Sequence, residues 1–442
     1  MVKSDFSERR SAIHLLRSGL SPTEVAEKLH RSRGWVYKWR QRFFAKQRWE
    51  DLQDLSRAPK NHPNRLPEEV CRAIRQTRSE LEAEAAQPDH LSYIGAEAIR
   101  ARLKKKGVSP LPSISSIERV IAASGMTRPR QRKEEHTAYP HLQPTQPHEL
   151  VQVDIVPRFL PGGACVPCFN ALDVVSHYPS GYQAASKCSA EAITFLLRVW
   201  RESGIPHFVQ MDNESCFSGG TAHPAVLGKV LRLGLLVGIE VVFSPLYHPQ
   251  SNGAVERFHQ DYLQNVWDKS LLTNLAEVQQ HSAIFFQQYR QSEHLAALAE
   301  RCPTEVHFER PLRKLPDTFQ LPKRLPLTVG KAHFIRLVSK EKKIAILNMS
   351  WEVPDAQPGR GVWATLEFTL SGARLRIYDT APDAAQRKCL AEHPFPLKEQ
   401  VQPLGKEFQR PVVPEKLWQR WLVRVTPHIL QGRVAAWLST MC

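Results

Sequence analysis

Apolar positions in the first fifty residues recur every three or four places. They run through Ile13, Leu15 and Leu16, then Val25, Ala26 and Leu29, then Trp35, Val36, Trp39 and Phe43, the period of helices with one buried face. Gly19-Leu20 interrupts the first run, and Ser21-Pro22-Thr23-Glu24 reads as a capping box with proline at the first helical position. A turn at His30-Arg31-Ser32 precedes a third helix from about Arg33. Three short helices with a tight turn before the last predict a helix-turn-helix over 1–56, whose third element enters the major groove of DNA. That helix carries Arg33, Lys38, Arg40 and Arg42 around its aromatic core face.

A linker over 57–67, rich in Pro, Asn and Arg, adds Arg57, Lys60 and Arg65 to the basic inventory. A second set of helical periods follows over 68–127, through Val70, Ala73 and Ile74, then Ile94, Ala98, Ile99 and Leu103, then Ile114, Ile117, Val120 and Ile121. It predicts a second helix-turn-helix. Lys104-Lys105-Lys106 closes its middle helix, where cations suit the macrodipole and where Lys105 can equally reach a phosphate. The stretch 128–148 reads as a basic, Pro-rich linker with Arg128, Arg130 and Arg132.

From Glu149 the period changes to that of strands. Leu150 to Phe159, Ala164 to Val174 and Tyr182 to Ala185 are three strands joined by Pro161-Gly162-Gly163 and by His177-Tyr178-Pro179-Ser180-Gly181. A helix through Ala192, Phe195, Leu196, Val199 and Trp200 follows, then a strand at His207–Met211, a helix from Val226 to Val237 and a strand at Ile239–Phe243. A further helix is expected from Ala254 to Lys269, and Phe286 to Leu298 should close a helical connection. The order βββ–α–β–α–β–α describes an RNase H-like mixed sheet over 149–310. Short strands return at Ala332–Ser339, Lys343–Leu347, Gly361–Leu370 and Ala373–Tyr378. They predict a small β-barrel over 324–400, and 401–442 reads as a helical tail through Leu417–Trp421 and Ile429–Leu438. The fold class is thus multidomain α and α/β: helix-turn-helix domains, an RNase H-like core and a terminal barrel with helices.

Charge adds direction to this layout. The net charge of +16 divides into +11 over 1–135, −5 over 149–310 and +10 over 311–442. An acidic centre between basic arms suits a protein that grips nucleic acid with its ends and holds cations in the middle. No run of 18 apolar residues spans a membrane and no signal-peptide core opens the chain. Eight cysteines without framework spacing fit a reducing cytosol. Cys165-Val166-Pro167-Cys168 lacks a second pair to complete a zinc site and reads as part of a hairpin.

Three carboxylates stand out in that acidic centre. Asp154 lies in Val151-Gln152-Val153-Asp154-Ile155, Asp212 ends Val209-Gln210-Met211-Asp212, and Glu256 opens a helix after a turn cluster at 244–253. Three hard oxygen donors on rigid elements are what Mg²⁺ needs, and two such ions about 4 Å apart suit phosphoryl transfer. Asp173, at the end of its own strand, competes for the role and is read as a solvated strand-end acid.

With Met211-Asp212-Asn213, Tyr247-His248-Pro249-Gln250-Ser251-Asn252-Gly253 and Val255-Glu256-Arg257, the chain resembles the DDE superfamily of retroviral integrases and bacterial insertion-sequence transposases. Tyr289-Arg290 and Cys302-Pro303-Thr304-Glu305 are similar to its segment after the core, so the likeness spans roughly 8–310. It implies that Asp154, Asp212 and Glu256 are the catalytic metal ligands for two Mg²⁺ ions, with Mn²⁺ able to substitute. It also implies cleavage at transposon ends and transfer of the 3′-hydroxyl ends into target DNA. Asn252 and Arg257 join the DNA-contacting candidates, with ordering of the loop the equal alternative for Asn252. The implied partners are double-stranded transposon ends, target DNA and further copies of the chain as a dimer or tetramer. A helper ATPase stays open as a partner, no membrane is expected, and the setting would be a bacterial cytoplasm at the nucleoid. The alternatives are a regulator that has lost catalysis and an RNase H-fold nuclease.

The pattern departs from the family at two points. Between Asp212 and Glu256 stand 43 residues, more than is common, with the surplus placed at Ser218–Pro224. Glu214 occupies a position that is often glycine. The retroviral His/His/Cys/Cys zinc module is also missing, which places the resemblance on the bacterial side.

Overall fold

The computed structural model describes residues 2–54, 66–87, 90–127, 139–219, 224–245 and 252–410. The expectations for Arg57, Lys60, Arg65, Arg128, Arg130 and Arg132, for the turn at Tyr247–Ser251 and for the helices beyond 410 lie outside these residues. Among the described residues no helix is long and apolar enough to cross a membrane. The chain divides into two compact units, Met1–Leu66 and Pro67–Cys442.

The first unit holds α1 (Val2–Arg17), α2 (Pro22–Lys28) and α3 (Arg33–Phe44). Ser21 and Glu24 form the capping box, each side chain taking the other's backbone N–H. Ser32 caps α3 by accepting from the Trp35 amide at 3.2 Å. Ala12, Val25, Ala26 and Val36 close one small core, and Ile13, Trp39, Phe43 and Leu52 close its neighbour.

The second unit opens with α4 (Glu68–Ala85), α5 (Ala96–Lys105) and α6 (Ile114–Ala123). The core then runs β1 (Leu150–Phe159), β2 (Cys165–Asp173), β3 (Pro179–Gln183), α7 (Ser189–Glu202), β4 (Phe208–Met211), α8 (Ser215–Ser218), α9 (Lys229–Leu236), β5 (Glu240–Phe243), α10 (Gly253–Tyr262), α11 (Leu275–Gln291) and α12 (Pro303–His307). The strands β6 (Gly330–Leu337), β7 (Lys343–Ile346), β8 (Met349–Glu352), β9 (Gly361–Thr369), β10 (Gly372–Tyr378) and β11 (Cys389–Phe395) follow.

Among the described residues, nine strands form one sheet in the order β11-β10-β9-β6-β5-β4-β1-β2-β3. The strands β1, β4, β5 and β6 are parallel neighbours, and both flanks are antiparallel. Alternation along β1 sends Val151, Val153 and Ile155 into the core with α7 and α9. The opposite face is covered by α10 and α11 through Val255, Phe258, Tyr262, Phe285, Phe286 and Tyr289.

The separate barrel expected over 324–400 is replaced by an extension of this sheet. A parallel strand at β5 would otherwise leave a row of unpaired backbone groups, and β6 takes them with Val241 opposite Ala332 and Phe243 opposite Phe334. The rings of Phe243 and Phe334 stack at 5.1 Å. The run Ala332–Ile335 is buried on both faces, as parallel central strands are. Only β7 and β8 stand apart, as a two-stranded hairpin.

Close approach fixes one glycine. A Cβ built on Gly181 of β3 would overlap the Phe286 ring of α11. That ring is held among Phe258, Tyr262 and Phe285 and cannot swing aside. Gly181→Ala should therefore destabilise the protein by about 2–3 kcal/mol through overpacking, read as a lower urea midpoint; an unchanged midpoint would show that α11 shifts freely.

Candidate active site

Strand register brings the two aspartates together. In the parallel pair β1–β4, Val153 lies opposite Met211, so Asp154 and Asp212 follow at the same level on strands about 4.8 Å apart. Glu256 reaches them from the first turn of α10. What fixes that helix is Gln152, two residues before Asp154 on the same face of β1. Its buried Oε1 accepts from the backbone N–H groups of Ala254 (3.1 Å) and Val255 (3.2 Å), satisfying donors that a helix N-terminus leaves open.

The electrostatics describe an acidic pocket short of cations. Burial, then repulsion from Asp212, Glu214 and Glu256, raises Asp154 to about 7, against the opposing hydrogen bond from the Ile155 amide. Burial and Glu214 raise Asp212 to about 6. Glu256 is shifted upward by burial. Lys187 pairs with Glu214. Among the described residues no Lys or Arg forms an ion pair with Asp154, Asp212 or Glu256. Lys187 pulls Asp212 down without pairing with it, and an anionic oxygen set so incompletely neutralised fits a divalent cation.

Two polar groups nearby were not singled out by sequence reasoning. His259 stands three residues after Glu256, with Nδ1 3.6 Å from Asp154 Oδ2. Its Nε2 is buried without a hydrogen-bond partner among the described residues, and burial then Arg158 hold the imidazole down at about 4, so it is neutral. Asn170, opposite Asp154 on β2, likewise has a buried Oδ1 without a partner among them. The i+3 spacing from Glu256 is the signal that could have found His259.

Asp173 corrects an expectation. It is not solvated but 2% exposed. Oδ2 accepts from the His148 amide, and Oδ1 accepts from the Val175 and Ser176 amides and the Ser176 hydroxyl. With His148 and His307 it forms the one group of three or more His, Cys, Asp or Glu among the described residues whose ligand atoms all lie within 4.8 Å of one another. Hydrogen bonds already occupy it: His307 Nδ1 meets Ser176 Oγ at 2.9 Å, His307 Nε2 meets the Ser203 carbonyl at 2.9 Å, and His148 Nε2 meets the His307 carbonyl at 2.8 Å. These bonds make the three residues a structural network. Asp154, Asp212 and Glu256 are not among the groups whose ligand atoms all lie within 4.8 Å of one another.

The proposed DNA contacts divide by environment. Arg33, Lys38 and Arg40 are exposed on α3, while Arg42 is half-buried with its guanidinium 5.1 Å from the Trp39 ring. Arg33, Tyr37, Arg40 and Phe44 form a stripe along one face, with Tyr37 and Phe44 about half exposed. In the second unit Lys105 is paired with Glu293 at 3.3 Å, Lys104 with Glu300, and Lys106 with Glu80. The lysine run thus has carboxylate partners within the protein, a use that sequence reasoning did not weigh. Asn252 is buried at the start of α10 and accepts from Ser244 Oγ at 2.9 Å. Arg257 is exposed, one residue past Glu256, and lines a cleft with Tyr93 and Asp261.

Residues 3–48 match the Homeodomain-like domain family, and residues 237–301 match the Integrase core domain family. The second match contains Glu256 and begins after Asp212. Among solved structures the chain is similar to the HTLV-2 integrase catalytic core domain in complex with magnesium, at 16% identity over 37% of this chain and 99% of that one (TM-score 0.30). It is also similar to a chain of the simian T-cell lymphotropic virus intasome in complex with PP2A regulatory subunit B56 gamma, at 15% identity over 68% and 96% (TM-score 0.33). A third is the BIV integrase catalytic core domain, at 18% identity over 37% and 95% (TM-score 0.28). The chain thus carries a Homeodomain-like match in its first unit and, in its second, an Integrase core match over 237–301 that includes α10 and Glu256.

Proposed function

We propose that this chain is a DDE-type transposase, a metal-dependent polynucleotidyl transferase that cuts at the ends of a transposable element and joins the 3′-hydroxyl ends to target DNA. The observation that carries the reading is the level placement of Asp154 and Asp212 on β1 and β4, with Glu256 held over them by Gln152. Asp154, Asp212 and Glu256 would hold two divalent ions, Mg²⁺ or Mn²⁺. When bound, such ions supply an activated attacking oxygen and neutralise charge on the leaving oxygen.

The protein's own share is to hold and orient. Gln152 keeps α10 seated on β1, which puts half-buried Glu256 close enough to raise the pKa of Asp154. His259 is neutral and stands against Asp154, which limits the rotamers that carboxylate can adopt. Lys187 pairs with Glu214 and keeps the fourth acid from adding its full charge to the site. Cleavage adds a water oxygen to the scissile phosphorus and releases the 3′-oxygen as a hydroxyl; joining adds that hydroxyl to a target phosphorus and releases the target's own 3′-oxygen. No protein atom becomes covalently attached, so positioning and charge are the whole of the protein's contribution.

Specific recognition of the ends falls to the first unit. The exposed stripe Arg33, Tyr37, Arg40 and Phe44 on α3 offers two guanidinium groups and two aromatic edges, a chemistry that reads guanine edges and thymine methyls in a major groove. The action on two ends and one target would require more than one copy of the chain.

The test is strand transfer with purified full-length protein, DNA flanking its gene and a supercoiled plasmid. Joined products in Mg²⁺ or Mn²⁺ that disappear with chelator are expected. Specific end binding with no cleavage in either metal would leave a DNA-binding regulator, and cleavage without joining would leave a nuclease.

A further inference from the structure

Four elements meet at Ser244, the residue that follows β5. Gln210 of β4 donates through Nε2 to Ser244 Oγ (3.1 Å), and that hydroxyl donates to Asn252 Oδ1 at the start of α10 (2.9 Å). Asn213, next to Asp212, donates through Nδ2 to the Ser244 carbonyl (2.7 Å). The fourth element is β6, which contributes Arg336. Its Nη1 donates to the same Ser244 carbonyl (3.1 Å) and to the Ile335 carbonyl (2.9 Å), its Nη2 to Asn213 Oδ1 (2.8 Å) and its Nε to the Ala345 carbonyl (3.0 Å).

This guanidinium is 7% exposed and has no carboxylate partner among the described residues. Burial pulls its pKa down to about 10. An unpaired buried cation is costly to keep. Four of its five donors are used on fixed acceptors, and two of those acceptors flank the acids: Asn213 follows Asp212, and Ser244 is bonded to the residue that opens the Glu256 helix.

We infer that Arg336 is a positioning residue for the acidic site, fixing the separation between the Asp212 and Glu256 carboxylates through the Asn213–Ser244–Asn252 chain of hydrogen bonds. The inference rests on the reading of those acids as ion ligands. It makes the sheet extension beyond residue 324 a working part of the site, because β6 delivers a guanidinium that grips both Asn213 after β4 and the Ser244 carbonyl after β5. Lysine cannot replace it. A single ammonium cannot span Ala345, Ser244 and Asn213 with a fixed fork.

The experiment is Mn²⁺ titration of the full-length chain followed by the electron paramagnetic resonance signal of free ion, with circular dichroism as the folding check. Arg336→Met should weaken Mn²⁺ binding about tenfold, the scale seen when groups that orient metal ligands are removed. Arg336→Lys should fail to restore it. Asn213→Ala should weaken it in the same direction, and Arg336→Met/Asn213→Ala should be no worse than Arg336→Met alone. Wild-type Mn²⁺ affinity in folded Arg336→Met overturns the inference, as do additive losses. If Arg336→Met does not fold, Asn213→Ala decides, since wild-type affinity there overturns it equally. Asp154→Asn separates the two claims: lost Mn²⁺ binding in that variant supports the acids as ligands whatever Arg336 does, and retained binding sinks that reading and this inference with it.

Discussion

Glu256→Gln should lower strand transfer at least about a thousandfold while leaving the fold and end binding intact; that corresponds to about 4 kcal/mol of lost transition-state stabilisation. The amide has nearly the volume of the carboxylate, and Glu256 is half-buried in the first turn of α10, so the packing cost is small. What changes is charge: an amide oxygen is a weaker ligand for a hard cation than a carboxylate. Asp154→Asn should be as severe, because Asp154 feels both Asp212 and Glu256 and is therefore central to the acidic set. Residues that act as one unit are not additive, so Asp154→Asn/Glu256→Gln should be about as slow as either single variant. Strand transfer within tenfold of wild type in Glu256→Gln, measured by single-turnover joining of pre-cut ends, would remove Glu256 from the site.

The features legible in the sequence are those that local physics decides. Ser21-Pro22-Thr23-Glu24 encodes its own cap, and the alternation around Asp154 reads directly as a strand with Val151, Val153 and Ile155 inward. The expected helix from Ala254 is present as α10, followed by a π-type run at Leu263–Trp267. The helix expected at Phe286–Leu298 instead spans Leu275–Gln291, because Asn274 caps it by accepting from the Glu277 amide at 3.0 Å. That cap lies in Thr273-Asn274-Leu275-Ala276-Glu277, a signal that the apolar period alone does not contain.

The features that were not legible are made by distant partners. Asp173 looks like a surface acid until His148 and His307 fold over it. Arg336 looks like a basic residue on a small domain until β6 pairs with β5 and buries it beside Asn213. The same non-locality explains the missing barrel: short strands after residue 324 are read as a closed unit only while the open edge of β5 is out of view. Lys104, Lys105 and Lys106 read as phosphate contacts or a helix-end charge, whereas Glu300, Glu293 and Glu80 reach them in the folded chain.

Chelating divalent ions should destabilise the protein more at pH 8 than at pH 5.5. Asp154 and Asp212 sit at about 7 and about 6 in the folded chain against an ordinary value of 3.8. Because both are raised, the folded state binds more protons than the unfolded state between pH 4 and 7, so ion-free stability falls as pH rises across that window. At 1.36 kcal/mol per pKa unit, and with the two groups coupled, the loss is on the order of several kcal/mol by pH 8. Ion binding requires the deprotonated acids and therefore displaces the protons that acid supplies. Mg²⁺ should then raise the melting temperature strongly at pH 8 and weakly at pH 5.5. Asp154→Asn is the informative comparison, since it removes a charge the folded state disfavours. It should raise ion-free stability at pH 8, flatten the pH dependence and abolish the Mg²⁺-induced shift in the same melts. An equal Mg²⁺ shift at both pH values, or one that survives Asp154→Asn, would place the ion elsewhere. The acids that make the site a ligand for cations are thus the same groups that cost the empty protein stability, so activity and ion-free stability should move in opposite directions in this variant.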